Sequence, residues 1–182
     1  MTSIKNICVF CGSSTIVDGK YLRGARDVGA MLARNGYGVV YGGGNIGLMG
    51  AAADAALEAG GKVIGVIPKF LRDKEVAHTG LTELHLTETM HERQVGMAER
   101  SDAFVVLPGG LGTLAEFFEV LTWKQLGLHD KPIMLVNDFG YWDSLIEFAG
   151  HAEGEKFLRA SDADLYAVLP GAAALEAHLK RL

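Results

Sequence analysis

Short apolar runs alternate with segments of helical periodicity along this chain, and that alternation constrains its fold more than any other feature. An apolar run at residues 6–10 precedes apolar positions at helical spacing between 21 and 35, and a second run covers 38–41. Strands that are apolar throughout and separated by helices are typical of a parallel sheet covered on both faces. We therefore predict a Rossmann-like, doubly wound α/β fold.

The rest of the chain continues this pattern. Asn35 and Gly36 are suited to end the first helix, and the polar residues 68–80 predict a surface loop. No linker or repeat divides the 182 residues, a length that fits one domain spanning 1–182. Further strands are predicted at 62–68, 82–88, 103–108, 131–137 and 164–169, and further helices at 48–59, 90–100, 113–125, 141–153 and 171–182.

Charge and cysteine content argue against several classes of protein. The formal net charge of −5, without a local cluster of lysine and arginine, gives no support for binding nucleic acid. There is no signal-peptide pattern and no apolar stretch long enough to cross a membrane, so we expect a cytoplasmic protein without a membrane partner. Cys8 and Cys11 run along a predicted strand, which favours buried thiols over a redox pair. The six histidines show no ligand spacing, and no metal site is expected.

Three glycine-rich segments each follow a predicted strand directly. They read CGSS at 11–14, YGGGNIGLMG at 41–50 and PGGLGT at 108–113. In doubly wound sheets, ligands bind beyond the carboxyl ends of the strands, near the point where the strand order reverses. Three such turns at one edge therefore predict a cleft lined by backbone N–H groups.

The segment PGGLGT is the best candidate for an anion site. Gly109, Gly110 and Gly112 permit a tight turn and close approach to backbone amides at a helix start, and Thr113 adds a hydroxyl. An ordinary strand-to-helix turn without a ligand is the alternative. The segment at 41–50 lacks both the dinucleotide fingerprint and the lysine of a P-loop, so a mononucleotide fits better than NAD or ATP.

Two charged residues stand close to these turns. Glu116 follows Thr113 at the spacing of a capping box, and from spacing alone the cap is the favoured interpretation. Arg93 shares a helical face with Met90 and Met97, and an arginine among apolar neighbours is costly to bury without an anionic partner. A structural ion pair, or a side chain that reaches out to solvent, would also explain Arg93.

PGGLGTLAE, together with MHERQ and YGGGNIGLMG, resembles the LOG ("Lonely guy") family of cytokinin riboside 5'-monophosphate phosphoribohydrolases, long labelled lysine decarboxylases. The likeness extends from CGSS through GVIPKFL to TWKQLGLHDKPIMLVN. It implies hydrolysis of the N-glycosidic bond of AMP, or of AMP that carries an isoprenoid group, to a free base and ribose 5-phosphate. It also implies a homodimer with the active site near the subunit contact.

The resemblance assigns roles to individual residues. It implies that Arg93 and Glu116 are the catalytic pair, and that the nucleotide is bound by Glu75, Arg93, Gln94, Gly110, Leu111, Gly112, Thr113, Leu114, Ala115, Glu116 and Thr122. Glu116 would stabilise positive charge on the ribose, bind its hydroxyls or activate water. Arg93 would anchor the phosphate or orient Glu116; the sequence leaves these alternatives open.

One position departs from the family pattern. Gln94 stands where the family usually has lysine, which removes a positive charge, and we expect altered affinity without loss of function. No cofactor is expected, because no lysine has the setting that pyridoxal phosphate requires. A non-catalytic nucleotide carrier or sensor on the same fold is the alternative function, since a fold alone does not choose between the two. The apolar helix positions Phe117, Phe118, Leu121 and Trp123 fit either a subunit interface or an ordinary core.

Overall fold

A single parallel sheet organises residues 4–72 and 76–182, the part of the chain that the computed structural model describes. The strands, numbered in chain order, are β1 (Asn6–Phe10), β2 (Gly38–Tyr41), β3 (Val63–Pro68), β4 (Glu83–Thr87), β5 (Ala103–Val106), β6 (Ile133–Val136) and β7 (Ala167–Leu169). They lie in the order β4-β3-β2-β1-β5-β6-β7, and each neighbouring pair is parallel. The predicted fold class is confirmed.

Helices connect these strands and cover both faces of the sheet. They are α1 (Gly19–Arg34), α2 (Gly47–Glu58), α3 (Lys69–Arg72), α4 (Met90–Glu99), α5 (Leu111–Gln125), α6 (Asp143–Gly154) and α7 (Ala172–Leu179), with 3₁₀ turns at Asp138–Gly140 and Ala160–Leu165. Helices α1, α2 and α7 pack on one face. Helices α4 and α5 and the start of α6 pack on the other. The central strands are therefore buried on both sides, which is why they read as unbroken apolar runs.

The sequence pattern sets the ends of the first helix. Asp18 accepts a hydrogen bond from the Lys20 amide at 2.9 Å, so α1 begins two residues before the predicted start at Tyr21. At the other end, Asn35 is the C-cap and Gly36 takes φ +81°, a left-handed conformation that glycine adopts without strain. The predicted stop at Asn35 and Gly36 is confirmed.

Two predicted segments contain elements that the sequence did not predict. The strand predicted at 164–169 is shorter, since Asp162 accepts the Arg159 amide at 2.9 Å in a 3₁₀ turn and only Ala167–Leu169 pairs with the sheet. The loop predicted at 68–80 contains the short helix α3. Residues 73–75, and with them the candidate Glu75, lie outside the described residues. None of the helices described is long and apolar enough to span a membrane.

The reversal of strand order lies between β1 and β5. From β1 the sheet grows through β2 and β3 to β4, and from β5 it grows the other way to β7. The segments that follow β1 and β5 are CGSS and PGGLGT. Because parallel strands end at the same edge, these two segments meet at the switch point, where such folds bind their ligands.

Candidate active site

A cavity of about 370 Å³ opens at this switch point. Residues 11–14 and 108–113 form most of its wall, and the side chains of Arg93 and Glu116 also line it. Its volume lies near the lower end of the range for small-molecule sites. The structure thus brings together the PGGLGT segment and the two charged residues that the sequence singled out.

The backbone of the PGGLGT segment is held at its start by the CGSS segment that follows β1. The Gly12 amide donates to the Pro108 carbonyl at 3.0 Å, and Gly110 forms the N-cap of α5 in an extended conformation. Gly110, as a glycine, has no side chain that could cap this helix end. The amides of Leu111, Gly112 and Thr113 have no carbonyl to meet inside the helix, and a helix start of this kind attracts an anion.

The capping-box prediction for Thr113 and Glu116 is wrong. Helix α5 begins at Leu111, so Thr113 lies inside the first turn. The Thr113 side chain packs against the glycine loop, so closely that a Cβ at Gly109 would lie 2.1 Å from its Oγ1. With Gly110 as the N-cap, the acid of a capping box would stand at position 113, whereas Glu116 lies in the second turn of the helix and lines the cavity.

The glycine-rich segment at 41–50 contributes only Leu48 and Met49 to the cavity wall, and its residues 42–47 do not line the cavity. Gly47 has φ +61°, and a Cβ there would lie 2.5 Å from the Ser13 carbonyl carbon. The Leu48 amide donates to the Gly12 carbonyl at 2.9 Å. These glycines let the backbone of the CGSS segment pack against the start of α2, which leaves the PGGLGT segment as the main source of open amides.

Arg93 is almost fully buried, at 4% exposure, on helix α4. Its Nε donates to the Val66 carbonyl at 3.2 Å and its Nη2 donates to the Gly42 carbonyl at 2.9 Å. Both carbonyls lie at the carboxyl ends of neighbouring strands, so the sheet itself fixes the guanidinium. A Cβ at Gly42 would lie only 2.0 Å from Nη2. Glycine at 42 is thus what makes room for the arginine, and a guanidinium held in this way points a permanent positive charge at the cavity.

The pKa of the Cys11 thiol depends on the charges around the cavity. Burial raises the pKa of its thiol well above the ordinary value, the negative charge of Glu116 raises it further, and the positive charge of Arg93 opposes both. The thiol therefore stays protonated and is a poor nucleophile. Cys8 and Cys11 are both free and buried, which confirms the prediction of core thiols.

Other predicted site residues lie outside the cavity wall of this single chain. Gln94 is 5% exposed, and its Nε2 donates to the backbone carbonyl of Glu116 at 3.1 Å. Leu114 and Ala115 belong to α5 but do not line the cavity. Thr122 instead lines a second, apolar cavity between α5 and α6. His91, predicted to face solvent, is exposed.

Sequence reasoning missed the aromatic side of the cavity. Tyr21 comes from the first turn of α1, and Tyr141 comes from the turn after β6. Their rings meet edge to face at a centroid distance of 5.4 Å. Tyr141 follows a predicted strand, so its place at the carboxyl edge was available as a signal. Within the described ranges, no group of three or more histidine, cysteine or acidic side chains gathers as metal ligands would.

Comparison with known proteins identifies the family. The family profile described as "Possible lysine decarboxylase" matches residues 49–179. The cytokinin riboside 5'-monophosphate phosphoribohydrolase of Rhodococcoides fascians is 50% identical over 155 residues, which are 85% of this chain and 78% of the relative. The chain belongs to the LOG family. A second relative, the phosphoribohydrolase LOG5 of Arabidopsis thaliana, is 44% identical over 168 residues, 92% of this chain and 74% of its own.

Solved structures of other proteins share the fold of this LOG-family chain. The molybdenum cofactor carrier protein of Chlamydomonas reinhardtii matches 97% of this chain and 96% of its own, with a TM-score of 0.73 and 26% identity. The molybdenum cofactor binding protein of Rippkaea orientalis matches 100% of this chain and 98% of its own, with a TM-score of 0.74 and 21% identity. These likenesses support the Rossmann-like fold, while the higher identities lie among the phosphoribohydrolases.

The LOG-family site combines three chemical capacities. Open amides at the start of α5 can hold a phosphate. The Glu116 carboxylate can stabilise positive charge that develops on a sugar ring, or take a proton from water. The buried Arg93 guanidinium supplies a fixed positive charge next to both. Together they suit a substrate that is anionic at one end and becomes cationic during the reaction.

Proposed function

We propose that this LOG-family protein hydrolyses the N-glycosidic bond of AMP and of AMP-like 5'-monophosphates with an isoprenoid group, releasing the free base and ribose 5-phosphate. The observation that carries the proposal is that Arg93 and Glu116 line the same cavity as the amides at the start of α5. The identities of 50% and 44% to phosphoribohydrolases support it.

The phosphate binds at the amino end of α5. The amides of Leu111, Gly112 and Thr113 donate to its oxygens, and the helix dipole adds positive potential there. No side chain has to be desolvated for this, since the donors are backbone groups at a glycine-rich turn. Leu111 is 87% exposed, so its side chain does not fill the phosphate position.

Glu116 acts on the sugar. Cleavage of the glycosidic bond develops positive charge on the ribose, which a nearby carboxylate stabilises. The C–N bond breaks with its electron pair leaving on the base, and water adds to the anomeric carbon. The carboxylate accepts a proton from that water, and this proton then passes to the departing base. Arg93 holds the anionic substrate beside Glu116, with its guanidinium fixed by the Gly42 and Val66 carbonyls.

The second candidate function is a non-catalytic nucleotide carrier or sensor. The likeness to the carrier protein of C. reinhardtii, at 26% identity, favours it to that extent. A carrier needs the anion site but has no use for a carboxylate that faces the sugar. Glu116 in the cavity wall therefore favours the enzyme.

Turnover separates these two functions. Purified protein is incubated with AMP, isopentenyladenosine monophosphate and adenosine, and free base is followed by chromatography. The enzyme releases base from both monophosphates and far less from adenosine, which lacks the phosphate. Tight binding of the monophosphates without release of base would establish the carrier instead.

We also propose that two copies associate through α5 and α6. A cavity of about 830 Å³ lies along these helices and has a mainly apolar wall. Phe118, Phe148 and Phe157 in that wall are 44%, 62% and 85% exposed. A second copy would cover them, and it would also place Thr122, on the same helix as Glu116, at the subunit contact. A cytoplasmic location and the absence of a cofactor stay predictions.

A further inference from the structure

Tyr141 reaches the anion site from the loop after β6, the strand next to β5. Its hydroxyl donates a hydrogen bond to the Gly109 carbonyl at 2.7 Å. Gly109 belongs to the segment after β5, whereas Tyr141 follows β6 and its 3₁₀ turn. The ring lines the same cavity and is 40% exposed. This contact thus joins the two loops on one side of the site.

The surroundings of Tyr141 hold its ring in place. Trp142 is buried and packs edge to face on it at 4.7 Å between ring centroids, and Tyr21 does so from another side at 5.4 Å. The Trp142 amide donates to Asn137 Oδ1 at 2.7 Å, which fixes the backbone beside the tyrosine. Phe139 in the same turn has φ +57°, a strained conformation for a residue other than glycine. The hydroxyl is therefore presented by a rigid support.

The accepting carbonyl belongs to a peptide that is otherwise easily rotated. Gly109 and Gly110 are adjacent glycines, and each has wide conformational freedom. The peptide unit between them is planar and trans, so the Gly109 C=O and the Gly110 N–H point in opposite directions. Fixing the carbonyl oxygen therefore also fixes the direction of the Gly110 N–H. The preceding carbonyl, that of Pro108, is already held by the Gly12 amide.

We propose that Tyr141 is a positioning residue of the anion site, which sets the Gly109–Gly110 peptide and thereby the entry to the amides of α5. This rests on the phosphate site in the proposed function. Tyr141 does not touch the sugar or its anomeric carbon in this role, and its hydroxyl keeps its proton, which it donates in the hydrogen bond to the Gly109 carbonyl. Loss of the hydroxyl consequently weakens phosphate binding and leaves the chemical step nearly unchanged.

Tyr141→Phe tests the proposal, because it removes the hydroxyl and keeps the packed ring. Calorimetric titration with inorganic phosphate and with ribose 5-phosphate should show affinities lower by about fivefold, the size expected for one hydrogen bond. With AMP, KM should rise by the same factor while kcat stays within about twofold. The Gly110 amide resonance should shift in the ¹⁵N spectrum.

Tyr37→Phe is the matched control and should show none of these changes. Tyr37 lies in the turn before β2, at the amino ends of the strands, whereas the cavity lies at their carboxyl ends. Unchanged phosphate affinity in Tyr141→Phe, or a lower melting temperature with unchanged affinity, overturns the proposal. Phosphate binding does not depend on turnover. A wild type that binds phosphate but releases no adenine would refute the proposed function while leaving the role of Tyr141 to be judged by these titrations; a wild type that does not bind phosphate refutes both.

Discussion

Gln94 donates a hydrogen bond from its side-chain amide to the backbone carbonyl of Glu116 at 3.1 Å. It ties helix α4, which carries Arg93, to helix α5 at the residue that carries the carboxylate. This contact needs a hydrogen-bond donor at position 94 and does not need a positive charge. The lysine that the resemblance to the family implies at this position would also present N–H groups.

Gln94→Lys and Gln94→Leu separate these two properties. Lysine keeps a donor, so we expect kcat within a few-fold of wild type. Leucine loses the donor, and we expect a destabilisation of about 1 kcal/mol with a larger fall in kcat than in the affinity for AMP. Chemical denaturation measures the change in stability, and steady-state kinetics measure kcat and KM for AMP. Equal kcat values for the two variants would show that the contact with Glu116 has no role in catalysis.

Gly42→Ala is expected to lower kcat/KM strongly, although residue 42 does not line the cavity. The new Cβ would lie 2.0 Å from Arg93 Nη2, which forces the guanidinium off the Gly42 carbonyl. We predict a fall of at least about 100-fold in kcat/KM, because Arg93 no longer holds the anionic substrate beside Glu116. Gly154→Ala is the control, since a Cβ built there would meet no atom of the described residues within 4 Å, its own helix backbone and chain neighbours aside. If Gly42→Ala keeps wild-type turnover, Arg93 does not act from the position described.

Phe148→Glu is expected to separate the subunits of the proposed homodimer. The side chain is 62% exposed on α6 in the wall of the apolar cavity, and a charge buried in a subunit contact is costly. Light scattering after size exclusion should report a dimer for wild type and a monomer for this variant. Phe70→Glu, on α3 near the other edge of the sheet, should stay dimeric. A wild type that is monomeric at micromolar concentration contradicts the dimer.

Asp138→Asn is expected to stabilise the protein at neutral pH. Burial raises the pKa of the Asp138 carboxyl, the charge of Asp27 raises it further, and the Phe139 amide opposes this. Because the pKa is higher in the folded than in the unfolded protein, ionisation of Asp138 destabilises the fold as the pH rises. Asparagine removes that cost.

The expected gain from Asp138→Asn is at most about 1 kcal/mol, or about 2–4 °C in melting temperature, because the group is partly solvated. It should shrink as the pH falls towards the ordinary carboxyl pKa of about 4. Thermal unfolding of both proteins at a series of pH values provides the measurement. A gain that grows at low pH would have the wrong sign for this explanation.

The sequence predicted the sheet well because strands buried on both faces leave an unbroken apolar signature, as in 103–108 and 131–137. It also located the cavity, since the segments after β1 and β5 are both glycine-rich. It failed where tertiary contacts decide. Thr113 has the pattern of an N-cap, yet Gly110 is the N-cap and Thr113 lies inside the first turn, packed against Gly109.

The contacts that require glycine at particular positions could not be predicted from the sequence either. Gly42 makes room for a side chain 51 residues away, and Gly47 makes room for the backbone of Ser13. Neither need is visible in a local pattern, because both arise from contacts between distant segments. Tyr141 illustrates the same limit, since only the folded chain brings its hydroxyl to the Gly109 carbonyl.

The most direct measurement of the central claim is adenine release from AMP by wild type and Glu116→Gln, with their melting temperatures. Glu119→Gln, one turn along the same helix and outside the cavity wall, is the matched control. We predict that Glu116→Gln loses at least about 100-fold in kcat and melts close to wild type, while Glu119→Gln keeps its activity. Wild-type turnover in Glu116→Gln would contradict the account.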